Sequence, residues 1–175
     1  MQLDLTRYRQ QVTGFARTFQ PQDIGDEGEA YRVATPVEVA FDVYKDKEKF
    51  RLVGDVRTEL EVVCSRCIEP FRLPVNAHFD QRYLPASAAS NEEDREIPEE
   101  DLETSYYRDD QIDLNELLRE QFYLVLPMKP LCREECRGLC PQCGTNLNSG
   151  TCDCEAVWED PRLAPLKGLG GTRES

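Results

Sequence analysis

Cysteine is the residue whose number and spacing carry the chemistry of this chain. Six of its eight cysteines lie within 23 residues near the end of the sequence: Cys132, Cys136, Cys140, Cys143, Cys152 and Cys154. The other two, Cys64 and Cys67, form a C-x-x-C pair in the middle. Thiolate is a soft anionic donor that Zn²⁺ prefers, and a closely spaced pair lets one turn of backbone supply two corners of a tetrahedron. Eight such thiols are enough for two structural zinc sites, each closed by four protein ligands.

The cysteines divide into two sets by their separation along the chain. The segment from Cys140 to Gly144, CPQCG, predicts one compact site together with Cys152 and Cys154, because its tight turn aims backbone N–H groups at the thiolates. The remaining thiols predict a second site, which consists of Cys64, Cys67, Cys132 and Cys136. Closing that loop of about 65 residues costs roughly 4 kcal/mol. Zinc binding to four thiolates contributes about 10–16 kcal/mol and offsets this cost.

Three other interpretations of the cysteines stay open at this point. Spacing alone does not exclude a single site formed by Cys132, Cys136, Cys140 and Cys143. The Cys64–Cys67 pair could be a redox centre, although thioredoxin-like chemistry needs such a pair at a helix N-terminus. A disulfide framework requires export, and the first residues, MQLDLTRYRQQ, do not form a secretory signal. We therefore expect a cytoplasmic protein with reduced thiols and two structural zinc ions.

The charge of the chain restricts its partners. With 34 acidic and 21 basic residues the formal net charge is -13, opposite in sign to that of proteins that grip naked nucleic acid. Any contact with RNA should therefore be local or run through basic proteins. The longest apolar run, residues 122–128, is too short to cross a bilayer. With no glycine-rich phosphate loop and a single histidine, His78, on the polar side of a strand, we expect no catalysis and no small-molecule substrate.

Alternating apolar and polar residues predict the element that must position Cys64 and Cys67. The alternation covers residues 37–43, 50–62 and 71–83, with Gly54 as an expected bulge. A period of two with one apolar face is typical of an antiparallel meander that is half buried. The C-x-x-C pair falls at the turn between two long strands.

An acidic stretch follows the predicted meander. Residues 86–113 contain eleven Asp or Glu residues and two Arg residues. Segments this acidic and this poor in aliphatic residues usually stay solvated. We therefore expect residues 86–112 to form a flexible acidic linker, with a short strand at Tyr106 and Tyr107 near its end.

A helix is predicted after the linker. Asp113 can cap it, and Glu116 stands three residues on, as in a capping box. Its apolar face should cover the sheet, and Pro127 should end it. The predicted fold class is therefore α+β: an antiparallel β meander covered by a helix, with a C-terminal cysteine-rich, zinc-ribbon-like segment. The expected regions are residues 1–85 for the β region, 86–112 for the linker, and 113–175 for the helix and the zinc-binding segment.

The order of these features resembles a known family. The motifs that carry the resemblance are CSRCIEPF at 64–71, IDLNELLREQ at 112–121, LPMKPLC at 126–132, GLCPQCG at 138–144, NLN at 146–148 and DPRL at 160–163. Together, over residues 36–169, they resemble the YceD family of bacterial proteins, described as large ribosomal RNA subunit accumulation proteins. The resemblance implies a cytoplasmic, non-enzymatic factor needed for the accumulation of large-subunit (23S) ribosomal RNA. It also implies a partner, the large ribosomal subunit precursor, contacted through ribosomal proteins or ribosomal RNA.

One cationic cluster lies beside the predicted metal sites. It consists of Lys129, Arg133 and Arg137, interrupted by Glu134 and Glu135. The cluster predicts an interaction surface, but the arginines could equally balance the negative charge of a four-thiolate zinc site. Two other functional classes also stay open, namely a generic zinc-ribbon module for protein interaction, for example in transcription, and a thiol-based redox or zinc-donating protein.

Overall fold

A large β-sheet and one long helix make up most of the fold. The computed structural model describes residues 1–8, 11–25, 30–89, 104–154 and 162. The strands are β1 (Gln2–Asp4), β2 (Val12–Phe19), β3 (Tyr31–Val33), β4 (Val37–Asp46), β5 (Lys49–Val63), β6 (Pro70–Pro85), β7 (Thr104–Tyr107) and β8 (Gln111–Asp113). The helices are α1 (Ala86–Ala89) and α2 (Leu114–Val125).

The main sheet has the strand order β2-β4-β5-β6-β7. Strands β4, β5 and β6 form the predicted antiparallel meander. The sheet extends further than predicted, since β2 pairs antiparallel with β4, and β7 pairs parallel with β6. Strand β3 pairs with the end of β5 that β4 leaves free. A separate pair, β1 with β8, joins the start of the chain to the residues just before α2.

One face of the sheet is buried, and α2 covers it. Side chains alternate between buried and exposed along β4 and β5, as the period of two predicts. The helix contributes Leu117, Leu118 and Phe122, all almost completely buried, to the same core as the inward residues of β4 and β5. The rings of Tyr31 and Phe122 meet edge to face, with centroids 5.5 Å apart. These elements confirm the α+β class, while the zinc-ribbon-like character of the C-terminal segment stays a prediction.

Helix α2 begins where the sequence predicts, although its cap differs in detail. The carboxylate of Asp113 accepts the backbone N–H of Asn115 at 2.8 Å, rather than that of Glu116, on which a capping box depends. The helix ends at Val125, two residues before Pro127. No helix in the described part of the chain is long and apolar enough to cross a membrane.

The predicted linker contains secondary structure at both of its ends. Helix α1 opens it, and β7 and most of β8 lie near its close. The strand predicted at Tyr106 and Tyr107 is confirmed as part of β7. Residues 90–103, which hold most of the linker's acidic side chains, lie outside the described residues. The division of the chain into three regions therefore stays a prediction.

Gly54 is a point of close contact between strands, and the predicted bulge is wrong. It pairs with Phe41 on one side and with Phe79 on the other, with no extra residue in any strand. A Cβ atom on Gly54 would lie 2.1 Å from the carbonyl oxygen of Ala40 and 2.4 Å from the Cα atom of Phe41. The rings of Phe41 and Phe79 meet beside this glycine, with centroids 5.9 Å apart. Glycine is needed here because backbone atoms of β4 and the Cβ atom of Phe41 occupy the space of a side chain.

Replacing Gly54 with alanine should destabilise the fold. The added methyl group overlaps backbone atoms of β4, and overpacking of this kind costs about 1–3 kcal/mol or more. The expected result is a lower free energy of unfolding in urea denaturation. Gly14→Ala is the matched control, because the nearest atom to a Cβ atom there, an Asp42 carboxylate oxygen, is 3.5 Å away. That variant should match the wild type or gain about 0.4–1 kcal/mol. Equal stability of the Gly54 variant and the wild type would contradict the close contact.

Candidate metal centres

Site 1 brings together cysteines from the middle and the end of the chain. The sulfur atoms of Cys64, Cys67, Cys132 and Cys136 all lie within 4.8 Å of one another. The Cys64–Cys136 and Cys67–Cys132 Sγ pairs are each 3.8 Å apart. With metal–sulfur bonds of about 2.3 Å, the corners of a tetrahedron are about 3.8 Å apart. The four thiols therefore stand at the spacing that four thiolates adopt around one zinc ion.

Site 2 is built from a single short stretch of chain. Its sulfur atoms, which also lie within 4.8 Å of one another, belong to Cys140, Cys143, Cys152 and Cys154. Cys140 is buried, while Cys143 and Cys154 are exposed, so this cluster lies nearer to the surface than site 1. Each of the two four-cysteine clusters could bind a metal ion.

The two clusters are the sets that the sequence predicts. All eight cysteines are free thiols, so the disulfide framework is not formed. The alternative site of Cys132, Cys136, Cys140 and Cys143 is wrong, because the first two of these thiols lie with the C-x-x-C pair of the sheet. That pair lies between β5 and β6 rather than at a helix N-terminus, the position that a thioredoxin-like redox pair requires. That these clusters hold metal stays a prediction.

Both C-x-x-C segments adopt the same turn. The backbone N–H of Ile68 donates to the carbonyl oxygen of Cys64 at 3.0 Å, and that of Gly144 donates to Cys140 at 2.9 Å. The residue after the second cysteine has a left-handed backbone in each case, with φ of 61° at Ile68 and 74° at Gly144. Glycine adopts this conformation freely, whereas a β-branched residue is strained in it. The strain at Ile68 indicates that surrounding contacts hold the turn of site 1 in place.

Hydrogen bonds and burial separate the thiols of each cluster by acidity. The backbone N–H of the second cysteine in its turn lowers the pKa of Cys64 to about 6. The hydroxyl and N–H of Thr145 lower the pKa of Cys143 to about 6. Burial and neighbouring thiols raise the pKa of Cys132 to about 12, and contact with Cys143 raises that of Cys154 to about 12. Each cluster thus contains thiols that ionise readily and thiols that need a cation to ionise. Metal binding to such a set releases protons.

Hydrogen bonds around site 1 fasten the C-terminal segment to the sheet. The guanidinium of Arg66, inside the C-x-x-C pair, donates to the carbonyl oxygens of Glu134 at 3.1 Å and Cys136 at 2.9 Å. The backbone N–H of Ser65 donates to the carbonyl oxygen of Pro130 at 2.8 Å. The sequence did not single out Arg66. The only signal in the sequence was the position of this long basic side chain between Cys64 and Cys67.

Asn148 connects the two sites. It lies in the loop between Cys143 and Cys152, yet its side-chain amide donates to the Sγ atom of Cys136 at 3.2 Å. Burial acts to raise the pKa of Cys136, but this amide and a backbone N–H lower it overall. The side-chain oxygen of Asn148 accepts the backbone N–H of Arg137 at 2.9 Å, which orients the amide. Sequence reasoning missed this role, although Asn148 belongs to a motif that carries the family resemblance.

The predicted cationic cluster is exposed. Lys129, Arg133 and Arg137 all have exposed side chains, and none forms an ion pair with another described residue. The backbone between Cys132 and Cys136 forms a tight turn, in which the N–H of Cys136 donates to the carbonyl oxygen of Arg133 at 3.1 Å. Both arginines therefore project from the backbone that presents site 1.

Comparison with known proteins places both clusters inside the region that one family model matches. A family model described as large ribosomal RNA subunit accumulation protein YceD matches residues 52–170. A relative from Arabidopsis thaliana, named large ribosomal RNA subunit accumulation protein YCED homolog 1, chloroplastic, is 27% identical over 95% of this chain and 56% of its own length. The Zea mays protein of the same name is 30% identical over 77% of this chain and 54% of its own length.

A bacterial relative has no described role. It is an uncharacterized protein of Mycobacterium tuberculosis, 35% identical over 56% of this chain and 45% of its own length. The chain thus spans about half the length of the curated relatives it matches. No solved structure matches the chain.

Protein purified under reducing conditions should contain two zinc ions per chain, because the four sulfur atoms of each cluster lie within 4.8 Å of one another and four thiolates complete the coordination of one ion. Elemental analysis provides the measurement. Cys143→Ser should remove one ion and leave the sheet folded, since site 2 uses no residue of the sheet. Cys67→Ser should remove the other ion and expose the C-terminal segment to limited proteolysis. One ion or none in the wild-type protein would contradict the two-site arrangement.

Asn148→Ala should weaken metal binding at site 1 while leaving the thiols in place. Loss of a hydrogen bond to a ligating group typically lowers metal affinity about 10–100-fold. Competition with a chelator should show one of two release steps shifted by that factor. Thr145→Val is the matched control for site 2, because it removes a hydroxyl that lies 3.1 Å from the Sγ atom of Cys143. If the Asn148→Ala variant releases both ions at the same chelator concentrations as the wild type, Asn148 does not support metal binding at site 1.

Proposed function

Because this chain belongs to the YceD family of large ribosomal RNA subunit accumulation proteins, we propose that it is needed for large-subunit (23S) ribosomal RNA to accumulate. The observation that carries the proposal is the extent of the family match. Residues 52–170 run from within β5 through the C-x-x-C turn and α2 to beyond the last cysteine, so they contain all eight thiols. The matched region is the part of the chain that the two clusters hold together.

The two clusters have a structural role with zinc as the ion. Four thiolates at tetrahedral spacing complete the coordination of zinc and leave no position for water or substrate. A catalytic zinc site keeps one such position open. The closed donor sets therefore support a non-enzymatic factor, in which the metal fixes the shape of the C-terminal segment.

The partner in this proposal is the large ribosomal subunit precursor, met in the cytoplasm. A net charge of -13 favours encounter with basic ribosomal proteins. A cationic surface attracts RNA phosphates instead, so the cluster of Lys129, Arg133 and Arg137 is the proposed contact surface for ribosomal RNA. Arg66 already sets a guanidinium against backbone carbonyl groups at site 1. This supports a role for Arg133 and Arg137 in partner contact rather than in balancing thiolate charge.

Depletion of the protein should lower mature large-subunit RNA relative to small-subunit RNA and cause large-subunit precursors to build up. Sucrose gradients and electrophoresis of total RNA measure both effects. Rescue by the wild-type chain is the positive control. If depletion leaves the RNA ratio untouched, the ribosomal role is wrong and a generic zinc-ribbon interaction module becomes the better interpretation.

The same assay tests the contact surface. The double variant Arg133→Glu, Arg137→Glu should keep two zinc ions and wild-type unfolding, yet fail to restore the RNA ratio. Arg32→Glu with Arg108→Glu is the matched control, because it makes the same change in net charge at exposed positions outside both clusters. If the variant loses zinc and also fails to restore the RNA ratio, the two arginines instead support the thiolates.

A further inference from the structure

A cationic cleft lies at the end of the sheet far from the metal sites. It encloses about 600 Å³ where β4 turns into β5. The described residues that line it include four cations, Lys45, Lys49, Arg51 and Arg82, but a single carboxylate, Asp46. In a chain with 34 acidic and 21 basic residues this is a local reversal of sign. The cleft is also roughly 40 Å along β5 from the C-x-x-C turn, so it is distinct from the surface beside site 1.

Strand register arranges the exposed side chains of the cleft in one row. Tyr44 pairs with Arg51, and Arg51 pairs with Arg82. Val12 on β2 and Thr104 on β7 extend this row to the edges of the sheet. Neighbouring strands are about 4.8 Å apart, so five strands give a row about 19 Å long. The row is long enough to follow several units of an extended polymer.

The cations of the row are not explained by the stability of the sheet. Arg51 and Arg82 lie directly opposite each other, and like charges in that position destabilise a pair of strands. Asp80 holds Arg51 through a two-point ion pair, in which the Nε atom of Arg51 lies 2.6 Å from the carboxylate. Lys49 and Arg82 form no ion pair with the described residues. Lys45 alternates to the other face, where its ammonium group lies 5.4 Å from the centroid of the Phe50 ring. An anionic ligand would relieve the repulsion that these cations create.

Tyr44 identifies the class of anion. Its side chain is 40% exposed and lies in the row directly beside Arg51. A positively charged groove with an exposed aromatic ring is the arrangement by which proteins bind single-stranded nucleic acid, since phosphates meet the cations and a base stacks on the ring. An acidic peptide would use the cations but would have no base to stack on Tyr44.

We propose that this cleft binds single-stranded RNA directly, with phosphates at Lys49 and Arg82 and a base stacked on Tyr44. The proposal rests on the proposed function, because ribosomal RNA is the nucleic acid that a factor for its accumulation would meet. It also accounts for RNA contact by an acidic chain, since the contact is confined to one locally basic site.

Binding of a fluorescently labelled single-stranded RNA oligonucleotide to the full zinc-loaded chain tests the cleft. Each phosphate contact contributes about 0.7 to the slope of log affinity against log salt. Lys49→Gln with Arg82→Gln should therefore lower the slope by about 1.4 between roughly 50 and 200 mM salt. Tyr44→Ala should weaken binding about 5- to 150-fold, whereas Tyr44→Phe should retain it.

The matched control removes two cations from the opposite end of the same exposed face. Arg57→Gln with Arg72→Gln makes the same change in net charge and should leave the slope unchanged. Three results would contradict RNA binding by the cleft. The first is that both double variants weaken RNA binding equally, and the second is that only Arg133→Gln with Arg137→Gln abolishes it. The third is that polyglutamate displaces the RNA while Tyr44→Ala binds RNA as tightly as the wild type.

The oligonucleotide assay and the depletion experiment fail independently. If the cleft is wrong, the purified variants bind RNA like the wild type while depletion still lowers large-subunit RNA. If the ribosomal role is wrong, depletion has no effect while the cleft variants still lose affinity and salt dependence.

Discussion

The contact between two pairs of cysteines that lie far apart in sequence determines how the rest of the chain is arranged. Cys64 meets Cys136 across 72 residues, and Cys67 meets Cys132 across 65. Strand β6 carries the chain roughly 50 Å away from the C-x-x-C turn, so the following elements must bring it back. Strand β7 binds along β6, β8 pairs with β1, and α2 then lies across the buried face. Each of these elements lies on the route between the two halves of site 1.

Much of the fold could be read from the sequence, because burial of one sheet face imposes a period of two. That period is clear in β4, β5 and β6, where the inward positions are apolar except at Thr58 and Gln81. Strands β1 and β8 have three residues each, too few for any period to appear. Gly54 was misread because glycine within a strand marks either a bulge or a close approach, and only the partner strand distinguishes them.

The cysteine sets could be predicted because short spacings leave few ways to form two tetrahedra. Arg66 and Asn148 could not, since their roles depend on which backbone lies beside them after two distant segments meet. The cationic cleft lay hidden for a similar reason. Arg82 is distant in sequence from Tyr44 and Arg51, and the three become neighbours only through the register of three strands. Local sequence patterns therefore identify metal ligands and the buried face of a strand, whereas contacts between distant segments can be seen only in the folded structure.

The position of Asn148 has a consequence for the life of the protein in the cell. Chains emerge from the ribosome from the N-terminus onward, and domains begin to fold during synthesis. Strands β2 to β6 are complete once Pro85 has emerged, but site 1 lacks half of its thiols until Cys136 and its amide donor until Asn148. If site 1 holds metal as proposed, the ion binds late in maturation, and a chain interrupted before that point has the sheet without the C-terminal segment attached to it. Metal supply would then control the yield of finished molecules rather than their rate of synthesis.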